Sequence, residues 1–266
     1  MERNAMDWMP LDLSGRHALV CGASQGIGLA AAQHLAGLGG RVTLLARNEE
    51  RLKEALATLP GEGHAFAVAD FSEPQSVAAA AERIVAERPV EILVNNTGGP
   101  AGGPITEAEV DAFRATFEQH LVCNHLLATT VLEGMKSAGW GRIINVISTS
   151  VKQPLPGLGV SNTIRGAVAS WAKTWATEVA PHNITVNNVL PGATGTARLT
   201  GLAAAKAAKT GTTPDAVLAA MAAQVPMGRT AEPAEIARAI AFLASPAADY
   251  ISGINLPVDG GRTGCL

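Results

Sequence analysis

Short apolar runs recur along the chain, and stretches with helical periodicity separate them. The runs lie at residues 16–21, 41–46, 64–69, 90–95, 142–148, 184–190 and 253–258. Short strand-like runs that alternate with helical stretches indicate βαβ units, which build a parallel sheet covered by helices on both faces. The pattern therefore predicts an α/β protein with a doubly wound parallel sheet of about seven strands.

The clusters of Pro and Gly at 98–104 and 154–159 are too short to be linkers, and they fall where a strand is followed by a helix. We therefore predict a single domain over residues 1–266. The segment at about 197–226 differs, because it is rich in Ala and interrupts the alternation directly after a strand. We expect a helical substrate lid there, over the carboxyl ends of the strands; a packing helix is the alternative.

The composition argues against several classes of protein. Hydrophobic residues make up 47% of the chain and charged residues 16%, which excludes disorder for most of it. A net charge of -3 without basic clusters argues against nucleic-acid binding, and the lack of 18 consecutive apolar residues argues against a membrane span. Cys21, Cys123 and Cys265 have neither zinc-like spacing nor an even count, so we expect no metal site and a cytoplasmic protein.

Three glycines, Gly22, Gly26 and Gly28, follow the first apolar run and precede an apolar helix. Glycines placed in this way permit a tight turn, close approach of the backbone to a pyrophosphate and close packing of helix on strand. The helix N-terminus also favours a phosphate group. The loop is therefore predicted to bind a dinucleotide, with an ordinary flexible loop as the alternative.

The second run is followed by Arg47, at a place where an NAD site carries a carboxylate for the ribose 2′-hydroxyl. A guanidinium group matches a 2′-phosphate instead, which favours NADP(H) over NAD(H); a solvated arginine is the alternative. Asp70 follows the third run and suits the adenine amino group, unless it caps the next helix. Asn95 to Gly98 follow the fourth run, at the sheet edge where a dinucleotide lies.

The ordered motifs resemble those of the short-chain dehydrogenase/reductase family, and especially its branch of 3-oxoacyl-[acyl-carrier-protein] reductase-like proteins. They are G-A-S-Q-G-I-G at 22–28, Asp70, N-N-T-G at 95–98, G-R-I-I-N-V-I-S at 141–148, P-G at 191–192 with Thr196, and V-D-G-G at 258–261. The resemblance covers about residues 12–262.

The resemblance implies a single-domain Rossmann fold, NADP(H) as cofactor, a small-molecule or acyl-thioester substrate, and a homotetramer built through helices near 106–137 and 158–180. Trp171 and Trp175 lie four residues apart in the second of these segments, which suits a helix-face contact or core packing. The implied cofactor-binding residues are Gly22, Ser24, Gln25, Gly26, Ile27, Gly28, Arg47, Asp70, Phe71, Asn95, Thr97, Gly98, Arg165, Pro191, Gly192, Thr194 and Thr196.

The catalytic positions depart from the family pattern, which is a tetrad of Asn, Ser, Tyr and Lys. Ser148 matches the serine, whereas His120 takes the place of the asparagine, Ser161 that of the tyrosine and Arg165 that of the lysine. The chain has a single tyrosine, Tyr250. The family's usual proton donor is therefore missing.

Three replacements for the phenol fit the residues present. Ser148 and Ser161 could hold the carbonyl oxygen while water supplies the proton. His120 could act as the acid, because imidazole titrates near neutral pH, or it could be a core histidine. Lys152 could reach the site with a lowered pKa, or it could be a surface lysine. Arg165 keeps a positive charge but is too basic to relay protons at neutral pH.

We therefore expect an NADP(H)-dependent oxidoreductase acting on a carbonyl or alcohol, with a 3-oxoacyl thioester as one candidate substrate. Two other functions remain open. One is an NADP(H)-binding sensor or scaffold that lacks redox activity, and the other is a lyase or dehydratase that works on the same fold without net redox.

Overall fold

Within residues 10–265, which the computed structural model describes, the strands form one parallel sheet of seven in the order β3-β2-β1-β4-β5-β6-β7. They are β1 His17–Cys21, β2 Arg41–Ala46, β3 Ala65–Val68, β4 Ile92–Asn95, β5 Gly141–Val146, β6 Ile184–Pro191 and β7 Asn255–Val258. The predicted α/β fold with a parallel sheet is confirmed. Residues 1–9 and 266 of the expected domain lie outside the described residues.

Helices cover both faces of the sheet. They are α1 Gly26–Gly37, α2 Glu49–Leu56, α3 Pro74–Glu87, α4 Val110–Phe117, α5 Cys123–Ala138, α6 Gly159–Val179, α7 Ala197–Thr210, α8 Pro214–Ala223 and α9 Pro233–Ala244. Successive residues of β1 point to opposite faces. Val20 packs in the core formed with α1 and α9, whereas Leu19 packs in the core formed with α3, α5 and α6. This alternation explains why the strands read as continuous apolar runs.

A row of buried asparagines crosses four strands. Asn95 donates from its side-chain amide to Asn145, Asn145 donates to Asn188 and Asn188 donates to Asn255, at 2.8 to 2.9 Å. The same residues are register partners in the sheet. Because a slip by one residue would leave these amides buried without partners, the row fixes the register of β4 to β7.

The strand order reverses between β1 and β4, which makes a crevice at their carboxyl ends. The three-glycine loop leaves β1 there, and the segment Asn96 to Pro100 leaves β4 beside it. Ligands of doubly wound sheets bind in such a crevice. The fold therefore places the glycine loop and the end of β4 at one site.

The segment predicted as a helical lid forms α7 and α8. Its buried residues Ala203, Ala207 and Val217 make a small cluster of their own with Leu218 and Met221, separate from the two main cores. Gly211 ends α7 in the left-handed conformation, with φ of +65°. The segment is thus a helical pair that packs mainly on itself.

Candidate active site

The glycine loop is tightly packed at one point. Gly22 and Gly26 have positive φ angles of 58° and 59°. A Cβ atom at Gly28 would lie 2.3 Å from the Gly22 carbonyl oxygen, so the start of α1 is in direct backbone contact with the turn. The Asn96 side-chain amide donates to the Cys21 and Gly22 carbonyl oxygens at 3.2 and 3.4 Å and holds the turn in place.

Asn96, which the N-N-T-G motif places at the sheet edge without a specific role, holds the glycine turn. The sequence reasoning named Asn95, whose side chain lies in the buried asparagine row, where its Oδ1 has no partner among the described residues. Adjacent residues at a strand end face opposite ways. When two consecutive asparagines follow an apolar run, one side-chain amide can therefore hydrogen-bond within the sheet and the other can hydrogen-bond to the neighbouring loop.

The N-terminus of α1 fits a pyrophosphate. Gln25 is the N-cap, its side chain makes no capping hydrogen bond, and the first turn holds no acidic residue. The first backbone N–H groups are therefore available to an anion, which the helix dipole also favours. Thr196 borders the same loop, because its Cγ2 lies 3.3 Å from the Cβ position of Gly26. Gly26 and Thr196 therefore lie together at the start of α1.

The 191–196 segment is held by its own threonines. Thr194 donates to the Gly192 carbonyl at 3.1 Å, and Thr196 Oγ1 accepts from the Leu199 backbone to cap α7. Pro191 ends β6, beside the end of β5. The P-G-x-T-x-T segment thus joins the sheet edge to the first helix of the lid segment.

Arg47 lies exposed after β2, near Asp70. Hydrogen bonds from the Ser72 backbone and hydroxyl, at 2.9 and 2.8 Å, lower the pKa of Asp70, and Arg47 lowers it further. Asp70 holds the turn before α3, whose N-cap is Glu73. Arg51, which the sequence reasoning missed, reaches from α2 to the Gln25 side chain at 3.3 Å. Two arginines therefore flank the glycine loop at this end.

The side chains of Phe71 and Thr97 differ in how far a ligand can reach them. The Phe71 side chain is buried in the core formed with α3 and α5, and its carbonyl accepts from the Cys123 thiol at 3.5 Å. Thr97 lies half-buried after β4, between Asn96 and Gly98. Phe71 can therefore offer a ligand little beyond its backbone, whereas Thr97 borders the crevice.

Ser148 and Arg165 both lie at the end of β5, and Ser161 lies one turn before Arg165 on α6. Ser148 follows the strand and its Oγ accepts a hydrogen bond from the Ser150 backbone at 3.1 Å. Ser161 and Arg165 are buried and lie one turn apart on α6, so their side chains share one face. Arg165 donates to the Val146 carbonyl at 3.0 Å, which ties that face of α6 to β5.

His120 lies in a single π-helical turn, Glu118–Val122, between α4 and α5. Such turns often occur at functional sites. The side chain is buried, and Nε2 has no hydrogen-bond partner among the described residues. Burial first, and then the charges of Arg165 and Arg198, lower the pKa of His120 well below its usual value. The imidazole is therefore neutral at pH 7, which disfavours it as the proton donor.

Replacing His120 with asparagine should reduce the acid sensitivity of the fold. The unfolded chain binds a proton at His120 below pH of about 6.5, whereas the folded chain resists it, so stability falls as the pH drops below that value. Between pH values of about 7 and 5.5, we expect H120N to lose less free energy of unfolding than the parent, by up to about 1.4 kcal/mol per pH unit. Urea denaturation measures the difference, with the exposed His182→Asn as control.

Lys152 lies half-buried after the short helical turn Thr149–Val151. Within residues 10–265 its ammonium group makes no hydrogen bond or ion pair, and its carbonyl lies 3.7 Å from the Cys265 thiol. Tyr250 is fully exposed in the segment before β7. Among residues 10–265, neither side chain hydrogen-bonds to Ser148, Ser161 or Arg165.

Arg198, in the first turn of α7, is a further residue that the sequence reasoning missed. Its guanidinium donates to the carbonyls of Gly99 and Pro100 at 2.6 and 3.1 Å. A Cβ atom at Gly99 would lie 2.6 Å from Arg198 Nη2 and 3.2 Å from Arg165 Nη2. The two arginines therefore meet beside the loop after β4, and a side chain at position 99 would displace the Arg198 guanidinium.

Sequence comparisons relate the chain to known reductases. A family model described as enoyl-(acyl carrier protein) reductase matches residues 22–263. The 3-oxoacyl-[acyl-carrier-protein] reductase of Vibrio cholerae is 36% identical over 254 residues, which cover 94% of this chain and 98% of that protein. An NADPH-dependent aldehyde reductase-like protein of Arabidopsis thaliana is 34% identical, over 95% of this chain and 96% of that protein.

The solved structures include close matches in fold. The L-sorbose reductase of Gluconobacter frateurii, complexed with NADPH and L-sorbose, superposes with a TM-score of 0.91. It is 33% identical, and the match covers 97% of this chain and 100% of that one. The resemblance drawn from the motifs is confirmed.

Proposed function

The chain belongs to the short-chain dehydrogenase/reductase family, and we propose that it is an NADP(H)-dependent oxidoreductase that interconverts a carbonyl and an alcohol. One observation carries the proposal. The uncapped α1 N-terminus and the Ser148–Ser161–Arg165 cluster lie at the same edge of the sheet, on either side of the end of β4. A site of this kind can hold a dinucleotide on one side and a carbonyl compound on the other.

NADPH supplies a hydride to the carbonyl carbon when it is bound. The residues of the chain act on the oxygen that becomes negative. Because Ser148 Oγ accepts from the Ser150 backbone, its hydroxyl hydrogen is free to be donated to that oxygen. Fixed donors and charges aimed at a developing alkoxide stabilise the transition state. Ser148 therefore orients and polarises the carbonyl.

Arg165 supplies positive charge rather than a proton. Burial, with a contribution from Arg198, lowers its pKa to about 10, so it remains a cation at neutral pH. Ser161 lies one turn away on the same face of α6 and is too weak an acid to replace a phenol. With His120 neutral, we propose that water held by the two serines delivers the proton.

The proposed preference for NADP(H) depends on Arg47 and Arg51, which lie at the end of the site where the adenosine would bind. The Arg47→Gln variant should raise KM for NADPH and lower kcat/KM by about 10-fold to 100-fold, because a charge-assisted hydrogen bond to phosphate contributes about 1.5 to 3 kcal/mol. Activity with NADH should be unchanged. Steady-state kinetics with both cofactors measures the ratio, and the exposed Arg83→Gln on α3 is the matched control. Equal losses with NADPH and NADH would contradict the assignment.

The reaction class is tested by following NADPH oxidation with a panel of carbonyl compounds that includes a 3-oxoacyl thioester. Oxidation matched by alcohol formation supports the proposal. NADPH binding without oxidation of any substrate would indicate the sensor or scaffold instead. A new product without a change at the nicotinamide absorbance band would indicate a lyase or dehydratase.

We further propose a cytoplasmic homotetramer in which α7 and α8 act as a substrate lid. Trp171 and Trp175 lie half-buried on α6 with ring centroids 5.7 Å apart, and His125 of α5 packs edge-on against both. This aromatic group supports a helix-face contact between subunits. Among residues 10–265, no helix is both long and apolar enough to cross a membrane.

A further inference from the structure

Arg165 and Arg198 form a cationic pair that no carboxylate neutralises. Both guanidinium groups lie within 3.2 Å of one point, the Cβ position of Gly99. Among the ion pairs within residues 10–265, none involves either arginine. Their partners are backbone carbonyls alone, of Val146 for Arg165 and of Gly99 and Pro100 for Arg198. Arg165 is buried and Arg198 is exposed. A buried cation such as Arg165 beside a second cation is costly unless an anion joins them, and the exposed Arg198 leaves the pair open to an anion from solvent.

An independent feature points to the same place. His120 is buried in the π-helical turn that packs against α6, the helix that carries Arg165. Its Nε2 is one of the buried polar atoms that have no hydrogen-bond partner among the described residues. A buried ring nitrogen without a hydrogen bond is unfavourable. A neutral imidazole can donate one hydrogen bond from Nε2, and an anionic oxygen is a strong acceptor.

The location of this cluster separates it from the dinucleotide loop. Arg165 shares the face of α6 that carries Ser161, and Arg198 belongs to the first turn of α7 in the lid segment. The pyrophosphate site proposed above is at the start of α1, on the other side of the end of β4. An anion between the two arginines would therefore sit next to the reacting carbonyl and beneath the lid segment.

We propose that Arg165, Arg198 and His120 Nε2 bind an anionic group of the substrate, a carboxylate or a phosphate monoester. This inference rests on the proposed function, because it names the substrate class of that site. Arg198 makes the link to the lid segment, since the anion would hold the first turn of α7 against the loop after β4. An anionic substrate therefore favours closure of α7 over the site. Neutral carbonyl compounds bind without the contact to Arg198 and do not favour closure.

The test compares matched ligands at fixed ionic strength and saturating NADPH. The probes are 3-oxobutanoate against its methyl ester, and dihydroxyacetone phosphate against dihydroxyacetone. Thermal-shift titration gives each dissociation constant without requiring turnover. For the parent protein we expect at least one anionic probe to bind about tenfold or more tightly than its neutral partner. The carboxylate and phosphate pairs distinguish the two sources of the charge.

The variants are Arg198→Gln, Arg198→Lys and the control Arg83→Gln. R198Q should remove the preference for the anion and leave the neutral probes unaffected, R198K should restore part of it, and R83Q should match the parent. Equal binding of anionic and neutral probes by the parent, or an unchanged preference in R198Q, would overturn the anion site. A selective loss of NADPH affinity in R198Q would also overturn it, because Arg198 would then serve the cofactor.

The same experiment separates this inference from the proposed function. Turnover of the neutral ketones with NADPH depends on the serines and the charge of Arg165, and not on Arg198. Selective binding of the anionic probes without turnover of any ketone would support the anion site and contradict the proposed oxidoreductase activity.

Discussion

The Gly28→Ala variant is expected to lose cofactor binding almost completely, with a dissociation constant for NADPH raised by more than about 100-fold. The added Cβ would lie 2.3 Å from the Gly22 carbonyl oxygen, 2.8 Å from the Gly22 carbonyl carbon and 2.8 Å from Asn96 Nδ2. Two of these are backbone atoms, so relief requires the turn and the helix start to move apart. Movement of that size misplaces the N–H groups that receive the pyrophosphate.

The matched control is Gly201→Ala in α7, where an added Cβ meets nothing within 4 Å. It should leave NADPH affinity unchanged and stabilise the fold by about 0.5 to 1 kcal/mol, because alanine is the better helix former. Fluorescence titration of NADPH measures both variants, and circular dichroism verifies the fold. A folded G28A that binds NADPH like the parent would show that the dinucleotide binds elsewhere.

The second large effect is expected for Ser148→Ala, which should lower kcat by about 10²-fold to 10³-fold, the loss seen when one donor to a developing oxyanion is removed. NADPH affinity should not change, because Ser148 contacts the substrate rather than the cofactor. Ser148→Thr keeps a hydroxyl group and should retain more activity than the alanine variant. Stopped-flow measurement of NADPH oxidation separates the chemical step from product release.

Ser150→Ala is the control for this loop. The Ser150 hydroxyl is buried without a partner among the described residues, while its backbone N–H donates to Ser148 Oγ. Removing that hydroxyl keeps the backbone hydrogen bond, so the turnover of S150A should match the parent. If S148A and S150A turn over NADPH equally, Ser148 has no role in the reaction.

The strands were predictable because a parallel sheet is buried on both faces, so that each of its strands is a run of consecutive apolar residues. The predicted run at 142–148 corresponds to β5, Gly141–Val146. Ile147 and Ser148 have left the strand, and this turn exposes the serine to the crevice. The hydrophobic pattern does not show that β5 ends at Val146, because Ile147 is buried like the strand residue before it.

The site was predictable only where residues near each other in sequence carry it. Spacing along α6 placed Ser161 and Arg165 together, and the glycine loop was recognisable from its position between β1 and α1. Arg198 and Asn96 depend on contacts with segments about a hundred and about seventy-five residues away. The π-helical turn at His120 interrupts one continuous helical pattern without a Pro or Gly to mark it. Tertiary packing decides such features, and local pattern carries little record of them.

The central claim is that hydride passes from NADPH to a carbonyl compound in a site without a tyrosine. Its most direct test is incubation with NADPH deuterated at the nicotinamide C4 position, followed by mass spectrometry of the product. The account predicts an alcohol that carries the deuterium in the parent protein and a loss of that product in S148A. Tight NADPH binding with no deuterium in any product, across anionic and neutral carbonyl compounds alike, would contradict it.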